Sequence, residues 1–488
     1  MREVLQRLTK MAFGYGIAQW LGPLIALVMT PILTRILSPA DYGIAEYILT
    51  LNSAVGILAL LGVPQALTTH FNDRNDHEWK ARVTGSALAL TIPLSAVAGL
   101  MIFVFAPALA QAAFQNQTYT DLFRLIGATA VLGVVGTVLV TASQSALRVR
   151  WGMAFSLTAI VCTLIGNLVY IVWLRLGVTG MLLTPITTGI VISVLAVIIA
   201  RSLVGPPRWS VMTQLVTSGT LLLPVALSTW ALQMIDRLFL INYVSPTELG
   251  YYAIAYKISG LVYIFLAPLF SSWTPLALAM HDDPFARERY ASMSRYFVGL
   301  ALAAVLAMSL FSTEILMILT RPAYLPAAPY AGVLSYVQVI SGLGVLLAAS
   351  ALITKQLKAL SWFVVVGAAV NLALNFLLIP RFTLWGATWA TIIGVAVPQV
   401  LLYLWLQRRY PIPYPLGTLF LALVVQVVLL VIGLLLPPMP LVPRIATKLV
   451  LLLLLPVSYV ALGIITRYEM EQAGLFIRHR LRMLGLRI

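Results

Sequence analysis

SPADYG (Ser38–Gly43) and SPTELG (Ser245–Gly250) stand 207 residues apart in a chain that is otherwise mostly apolar. In each phrase a Ser precedes a Pro and is followed three residues later by a carboxylate, Asp41 or Glu248. Such a Ser caps a helix, Pro fits its first position, and the acid reaches back to the cap, so both phrases predict a helix start. Gly43 and Gly250 then fall in first turns, where a missing side chain lets two helices approach closely. Capping accounts for the phrase without any chemistry. Its use is as a ruler for an internal duplication.

Other matches keep nearly the same offset. IGNLVYIVWLRLGVTG (165–180) lies beside AVNLALNFLLIPRFTLWG (369–386), pairing Asn167 with Asn371 and Gly180 with Gly386. YTDLFRLIGATAVL (119–132) has a looser counterpart in LPAAPYAGVLSYVQ (325–338). Matches in the same order at an almost constant offset indicate a repeat.

Composition sets the class. Of 488 residues, 61% are hydrophobic and 9% charged, against roughly a quarter charged in soluble domains. The chain is therefore read as an all-α polytopic membrane protein. A span takes about 20 apolar residues, which places spans near 11–34, 42–70, 83–106, 122–147, 153–174, 179–203, 214–243, 249–279, 292–319, 328–354, 360–380, 384–407, 415–436 and 445–466, fourteen in all. The basic start MREVLQRLTK leads into the first of them with no signal-peptide cleavage site. With the N-terminus inside, 22 of the 31 Lys and Arg fall in inward segments and 6 in outward ones. The other 3, Arg124, Arg237 and Lys257, fall within spans. This asymmetry predicts that both termini are cytoplasmic.

The net charge of +16 is thus an orientation signal, and nucleic acid is not an expected partner. The single Cys162 excludes an internal disulfide or a cysteine metal cluster. The acidic His281–Asp283 loop lacks a second cluster, and His70 and His77 lack a third ligand. Neither a metal nor another cofactor is expected. No GxxxxGK[ST] loop is present, so ATP does not drive the protein directly. A membrane-embedded glycan-processing enzyme would carry a long polar loop with clustered carboxylates or histidines; it is the different-class alternative.

The repeat contains six spans, an even number, so both copies share one orientation. That predicts two six-helix lobes, 1–208 and 209–410, related by a pseudo-twofold along the membrane normal with a substrate cleft between them. Residues 411–466 add two helices. The tail 467–488 places Ile477, Leu481, Leu484 and Ile488 on one face of a basic amphipathic helix for the cytoplasmic membrane surface.

TPILTRILSPADYGIAEYILTL (30–51), DRLFLINYVSPTELGYYAIAYKISGLV (236–262) and NLALNFLLIPRFTLWGATWAT (371–391) resemble the polysaccharide and O-antigen flippases of the multidrug/oligosaccharidyl-lipid/polysaccharide exporter superfamily. The resemblance covers about the first 410 residues. It implies two lobes forming a V, alternating access, and transfer of an undecaprenyl-pyrophosphate-linked oligosaccharide across the bacterial inner membrane. It also implies a coupling ion, H+ or Na+, and a pathway shared with a glycan polymerase and glycosyltransferases, besides the membrane lipids themselves. Lipid II flippases are relatives, but their basic first-span segment is not found in this sequence. A drug/cation antiporter of the same superfamily is the runner-up.

A charge within a span costs about 2.5–3.5 kcal/mol on insertion scales, so it should face a cavity or a partner. Asp236 and Arg237 near the end of span 7 and Lys257 in span 8 lie roughly 10–14 Å below the outer boundary at 1.5 Å per residue. Adjacent residues point apart on a helix, so the expected ion pair is Asp236–Lys257. Two readings stay open. One is a structural pair fixing the second lobe. In the other, Arg237 or Lys257 meets the pyrophosphate and Asp236 serves as a proton or cation site. The first copy has Thr30 and Thr50 at the places of Arg237 and Lys257.

Nearer the outer face stand Arg35, Glu46, Arg124, Glu314 and Arg321. Glu46 is expected to pair with Arg35; Glu46, Arg124 and Arg35 are secondary cavity candidates. Pro31, Pro64, Pro268 and Pro275 are expected to interrupt spans 1, 2 and 8 as hinges. Gln65, Thr68, Thr69, Ser271, Ser272 and Thr274 are expected at a cavity wall or in helix–helix hydrogen bonds.

Overall fold

The computed structural model describes residues 27–463. The first predicted span is therefore described only from Leu27, and the basic tail lies outside the described residues. In chain order the helices are α1 (Leu27–Ile36), α2 (Pro39–Leu60), α3 (Val63–His70), α4 (His77–Phe114), α5 (Thr120–Thr129), α6 (Val134–Ser145), α7 (Val149–Gly166), α8 (Gly177–Ala200), α9 (Trp209–Leu240), α10 (Pro246–Ser259), α11 (Leu261–Ala279), α12 (Ala286–Leu319), α13 (Ala328–Ile353), α14 (Leu357–Gln407), α15 (Leu416–Leu434) and α16 (Leu441–Ala461). Helix is the form that satisfies every backbone group within a segment, which hydrocarbon demands. The outer face of α4 carries Val97, Leu100 and Val104 more than half exposed, a surface suited to lipid and not to water.

Eleven helices among the described residues are long and apolar enough to cross a membrane, or up to twelve if the 45° bend between α5 and α6 joins one span. The expected count of fourteen is not reached in this tally. Two predicted spans, 360–380 and 384–407, fall in the single 51-residue element α14. It doubles back at Thr383, whose backbone (φ 48°, ψ −121°) is not helical. Gly394 lies against Asn371, and Gly367 faces both Gly394 and Pro398, so the two legs pack antiparallel.

Both repeated phrases start helices as expected. Ser38 accepts from the Asp41 amide at 3.1 Å while Asp41 accepts from the Ser38 amide at 3.2 Å. Ser245 and Glu248 do the same at 3.2 and 2.9 Å. Removing either serine as Ser38→Ala or Ser245→Ala should cost about 1 kcal/mol. The check is a drop of a few degrees in the melting temperature of the detergent-solubilised protein, without loss of expression.

The two helix starts meet each other. A Cβ on Gly43 would overlap the Pro246 carbonyl oxygen and lie 2.8 Å from the Gly250 nitrogen. A Cβ on Gly250 would overlap the Pro39 carbonyl oxygen. The 207-residue offset carries Pro39 onto Pro246 and Gly43 onto Gly250, so the contact maps onto itself, the form of an isologous interface. The Tyr324 hydroxyl donates to the Leu37 carbonyl at 3.2 Å beside it, and the Tyr42 and Tyr324 rings meet edge to face.

α9 packs on α2, α3, α4 and α14. Near its start Ser218 is 2.7 Å from His70 Nε2, and Gly219 packs on Gly62; farther along, Asp236 meets Thr391 of α14. The second predicted span breaks at Leu61 and Gly62, both with positive φ (47° and 70°). Pro64 sits in the first turn of the restarted α3. The expectation that Pro64 interrupts a span is thus corrected: the break precedes it, and Pro at a helix start forfeits no hydrogen bond. Nor do Pro268 and Pro275 break span 8: α11 runs unbroken through both from Leu261 to Ala279, and the discontinuity falls before it at Gly260; Pro31 lies within α1.

The last two helices are fastened by polar contacts inside an apolar cluster. Glu314 on α12, only 7% exposed, receives Lys448 at 2.8 Å and lies 3.0 Å from Arg444, both on α16. The Tyr336 hydroxyl on α13 donates to Gln426 on α15 at 2.7 Å. The first contact joins α16 to α12 and the second joins α15 to α13.

Candidate functional site

The intramembrane charges converge where α2, α9, α10 and α14 meet. Asp236 and Arg237 are each 2% exposed. Asp236 Oδ1 accepts from the Arg237 backbone amide at 2.9 Å and from the Arg237 guanidinium at 3.1 Å. Its Oδ2 accepts from the Tyr252 hydroxyl and, at 3.2 Å, from Thr391. Arg237 also donates to the Gln233 carbonyl at 2.8 Å, and its Nε lies 4.0 Å from Glu46 Oε2. The Tyr256 ring covers it, with the guanidinium carbon 4.9 Å from the ring centroid. Lys257 instead donates to the Tyr42 hydroxyl at 3.1 Å.

The expected Asp236–Lys257 pair is therefore not formed. Neighbours on a helix do point apart, yet the long Arg237 side chain curls back to Asp236, and a buried carboxylate takes every donor within reach. Nor does Glu46 pair with Arg35. Glu46 turns inward toward Arg237, whereas Arg35, on the opposite side of its turn, is exposed. Arg124 is also set apart from the cluster: it pairs with Asp121 one turn away at 3.2 Å, and both side chains are largely exposed. Of the six charged candidates, the fold gathers Asp236, Arg237, Lys257 and Glu46.

Three cavities are relevant to the site, and only the first has a residue of this cluster, Lys257, in its wall. One of about 170 Å³ is lined by Leu27 and Thr30 of α1 and by Lys257, Ile258, Gly260, Leu261 and Ile264. A second, about 460 Å³, lies between α2–α3 and α9, with Gln65 and Gln233 in its wall. The third is an apolar groove of about 870 Å³ along α11, α12 and α16, running past Leu261, Phe265, Leu300, Ile315, Leu452 and Tyr459. Leu261 belongs to the walls of both the first and the third.

A family model for polysaccharide biosynthesis proteins matches residues 32–329. The chain belongs to that family. No curated protein sequence matches it. Among solved structures it is similar to the lipid II flippase MurJ in an inward closed conformation, with a TM-score of 0.69 and 12% identity over 92% of this chain and 99% of that one. It is also similar to an inward-facing multidrug resistance MATE family transporter of the MOP superfamily, with a TM-score of 0.62 and 16% identity over 79% and 94% of the two chains. A variant of the Vibrio cholerae MATE transporter VcmN gives 0.52 and 13% identity over 83% and 97%. At these identities the likeness is one of fold.

The charge cluster of this polysaccharide biosynthesis family member also includes residues that sequence reasoning did not single out. Tyr42, Tyr252, Tyr256 and Thr391 complete the charge cluster, and a tyrosine or threonine in a span carries no signal that separates it from packing. Asn371 is one of the repeat matches. It receives a hydrogen bond from Asn375 at 3.1 Å, while its own amide nitrogen and the Asn375 amide oxygen have no partner among the described residues. Among those residues no group of three His, Cys, Asp or Glu is arranged to hold a metal.

Proposed function

We propose that this multi-pass membrane protein is a flippase for an undecaprenyl-pyrophosphate-linked oligosaccharide. It works in the bacterial inner membrane by alternating access between two lobes, residues 1–208 and 209–410. The observation that carries the reading is that Leu261 lines both the Lys257 cavity and the apolar groove. From Arg295 to Ile315 the groove follows 20 residues of α12, about 30 Å at 1.5 Å per residue and so the thickness of the hydrocarbon layer. A polyprenyl chain calls for such a seat, and the anionic group at its head calls for a fixed cation beside it.

In this reading the Pro39–Gly43 and Pro246–Gly250 contact closes the outer end and the cargo enters from the cytoplasmic side. Arg237 is enclosed here, so Lys257 is the cation that first meets the pyrophosphate. Opening outward separates Glu46 and Tyr42 of one lobe from Arg237 and Lys257 of the other. Asp236 then exchanges Arg237 for H+ or Na+, which couples the cycle to an ion gradient. Glycosyltransferases supply the cargo inside and a glycan polymerase consumes it outside. No covalent bond of the cargo changes.

Lys257→Met should lower export by about 10- to 100-fold, the value of a hydrogen bond to a charged group at ~1.5–3 kcal/mol, and Lys257→Arg should retain most of it. The measurement is the fraction of lipid-linked oligosaccharide reached by an impermeant lectin in spheroplasts of cells depleted of the native copy. An unchanged outer fraction on depletion of the protein would overturn the flippase reading.

A further inference from the structure

We infer that the 460 Å³ cavity between α2–α3 and α9 is a seat for the neutral sugar rings of the cargo, with Trp230 as the stacking platform and Gln65 and Gln233 as the hydrogen-bonding arms. The inference rests on the flippase reading and adds where the glycan is recognised. Gln65 and Gln233 are both exposed and line this cavity together with Ile57, Val225, Thr229 and Trp230. Neither amide has a hydrogen-bond partner among the described residues. A primary amide left unpaired in a span is costly in lipid, so it belongs where water or a ligand can reach it.

The chemistry of the wall selects the ligand class. No charged side chain lines this cavity, so it has neither the carboxylate that a cationic drug would need nor the Lys or Arg that a phosphate would need. An amide offers donors and an acceptor at once, which matches neighbouring sugar hydroxyls. An indole offers a flat apolar face, which matches the C–H face of a sugar ring. Trp230 is fixed in that position, because its Nε1 donates to Ser53 Oγ of α2 at 2.9 Å, across the two halves. The volume lies in the usual range for small-ligand pockets, roughly 300–1,000 Å³.

Position points the same way. Gln233 is one helical turn from Arg237, whose guanidinium donates to the Gln233 carbonyl at 2.8 Å. The sugar seat thus borders the charge cluster as the first sugars of a glycosyl pyrophosphate border their phosphates. Because Gln65 comes from α3 and Gln233 from α9, a glycan bound here bridges the two halves, and its shape affects whether they can close.

Two measurements test this in cells making their own lipid-linked oligosaccharide. A photoreactive residue at Leu222, in the wall of this cavity, should capture an adduct that carries sugar. The same residue at Leu453, in the apolar groove, should capture polyprenyl chain. Separately, Trp230→Ala should lower export about tenfold, the scale on which removing an aromatic platform weakens a stacked ring. Trp230→Phe, which keeps an aromatic face but loses the Ser53 bond, should fall between the wild type and Trp230→Ala. Gln65→Leu and Gln233→Leu serve if Trp230→Ala fails to reach the membrane. If Lys257→Met blocks export while Gln65→Leu and Gln233→Leu leave it at the wild-type level and Leu222 captures no sugar, the seat is wrong and the flippase reading stands. If neither position captures cargo and depletion leaves export unchanged, the flippase reading falls with it.

Discussion

Asp236→Ala should destabilise the folded protein by about 3–5 kcal/mol, the cost of removing one partner from a buried ion pair. Arg237 would keep its charge at 2% exposure, with Glu46 at 4.0 Å as its remaining acid. The Tyr252 and Thr391 hydroxyls would lose their acceptor as well. We expect the variant to be lost on solubilisation or to melt far below the wild type in detergent, read by fluorescence-detected size exclusion. The double variant Asp236→Leu, Arg237→Met should recover most of that stability, since neutralising both members of a buried pair is often neutral or better. A single variant as stable as the wild type would mean that Glu46 alone compensates Arg237.

Gly43→Val should abolish export while leaving the protein inserted. Any Cβ at residue 43 overlaps the Pro246 carbonyl, which is backbone and cannot swing aside, so the two helix starts cannot meet as they do here. Gly250→Val should do the same through the Pro39 carbonyl. With this end held apart, a cysteine placed at Ile44, buried in the wild type, should react with an impermeant thiol reagent in a Cys162→Ser background. Normal export together with an unreactive cysteine would show that the contact is not part of the cycle.

Much of the fold was legible in the sequence because its signals are local. Apolar runs the length of a bilayer, two capping boxes and a glycine in each first turn can be read from neighbouring residues, and all three are in the structure. The span count was less secure. A break such as Leu61–Gly62 or Thr383 depends on backbone dihedrals that apolar periodicity does not encode. Intramembrane charge drew attention to Asp236, Arg237 and Lys257, because burial of a charge is expensive wherever it occurs. Their pairing was read wrongly. Matched depth on adjacent helices says that two side chains can be neighbours, but a carboxylate bonds to whichever donors packing delivers, and here those were Arg237, Tyr252 and Thr391.

The sequence by itself determined the class, the two helix-capping phrases 207 residues apart and the set of charges the membrane must accommodate, because each follows from composition or from residues a turn or two apart. Only the tertiary structure decided that the two repeated phrases pack on each other. It likewise decided that Glu46 faces Arg237 and Lys257 faces Tyr42, and that Gln65 and Trp230 share a cavity. Those partners are separated by long stretches of chain. In a bilayer, where every helix is apolar outside, it is close packing of small residues and satisfaction of buried polar groups that selects which helices meet.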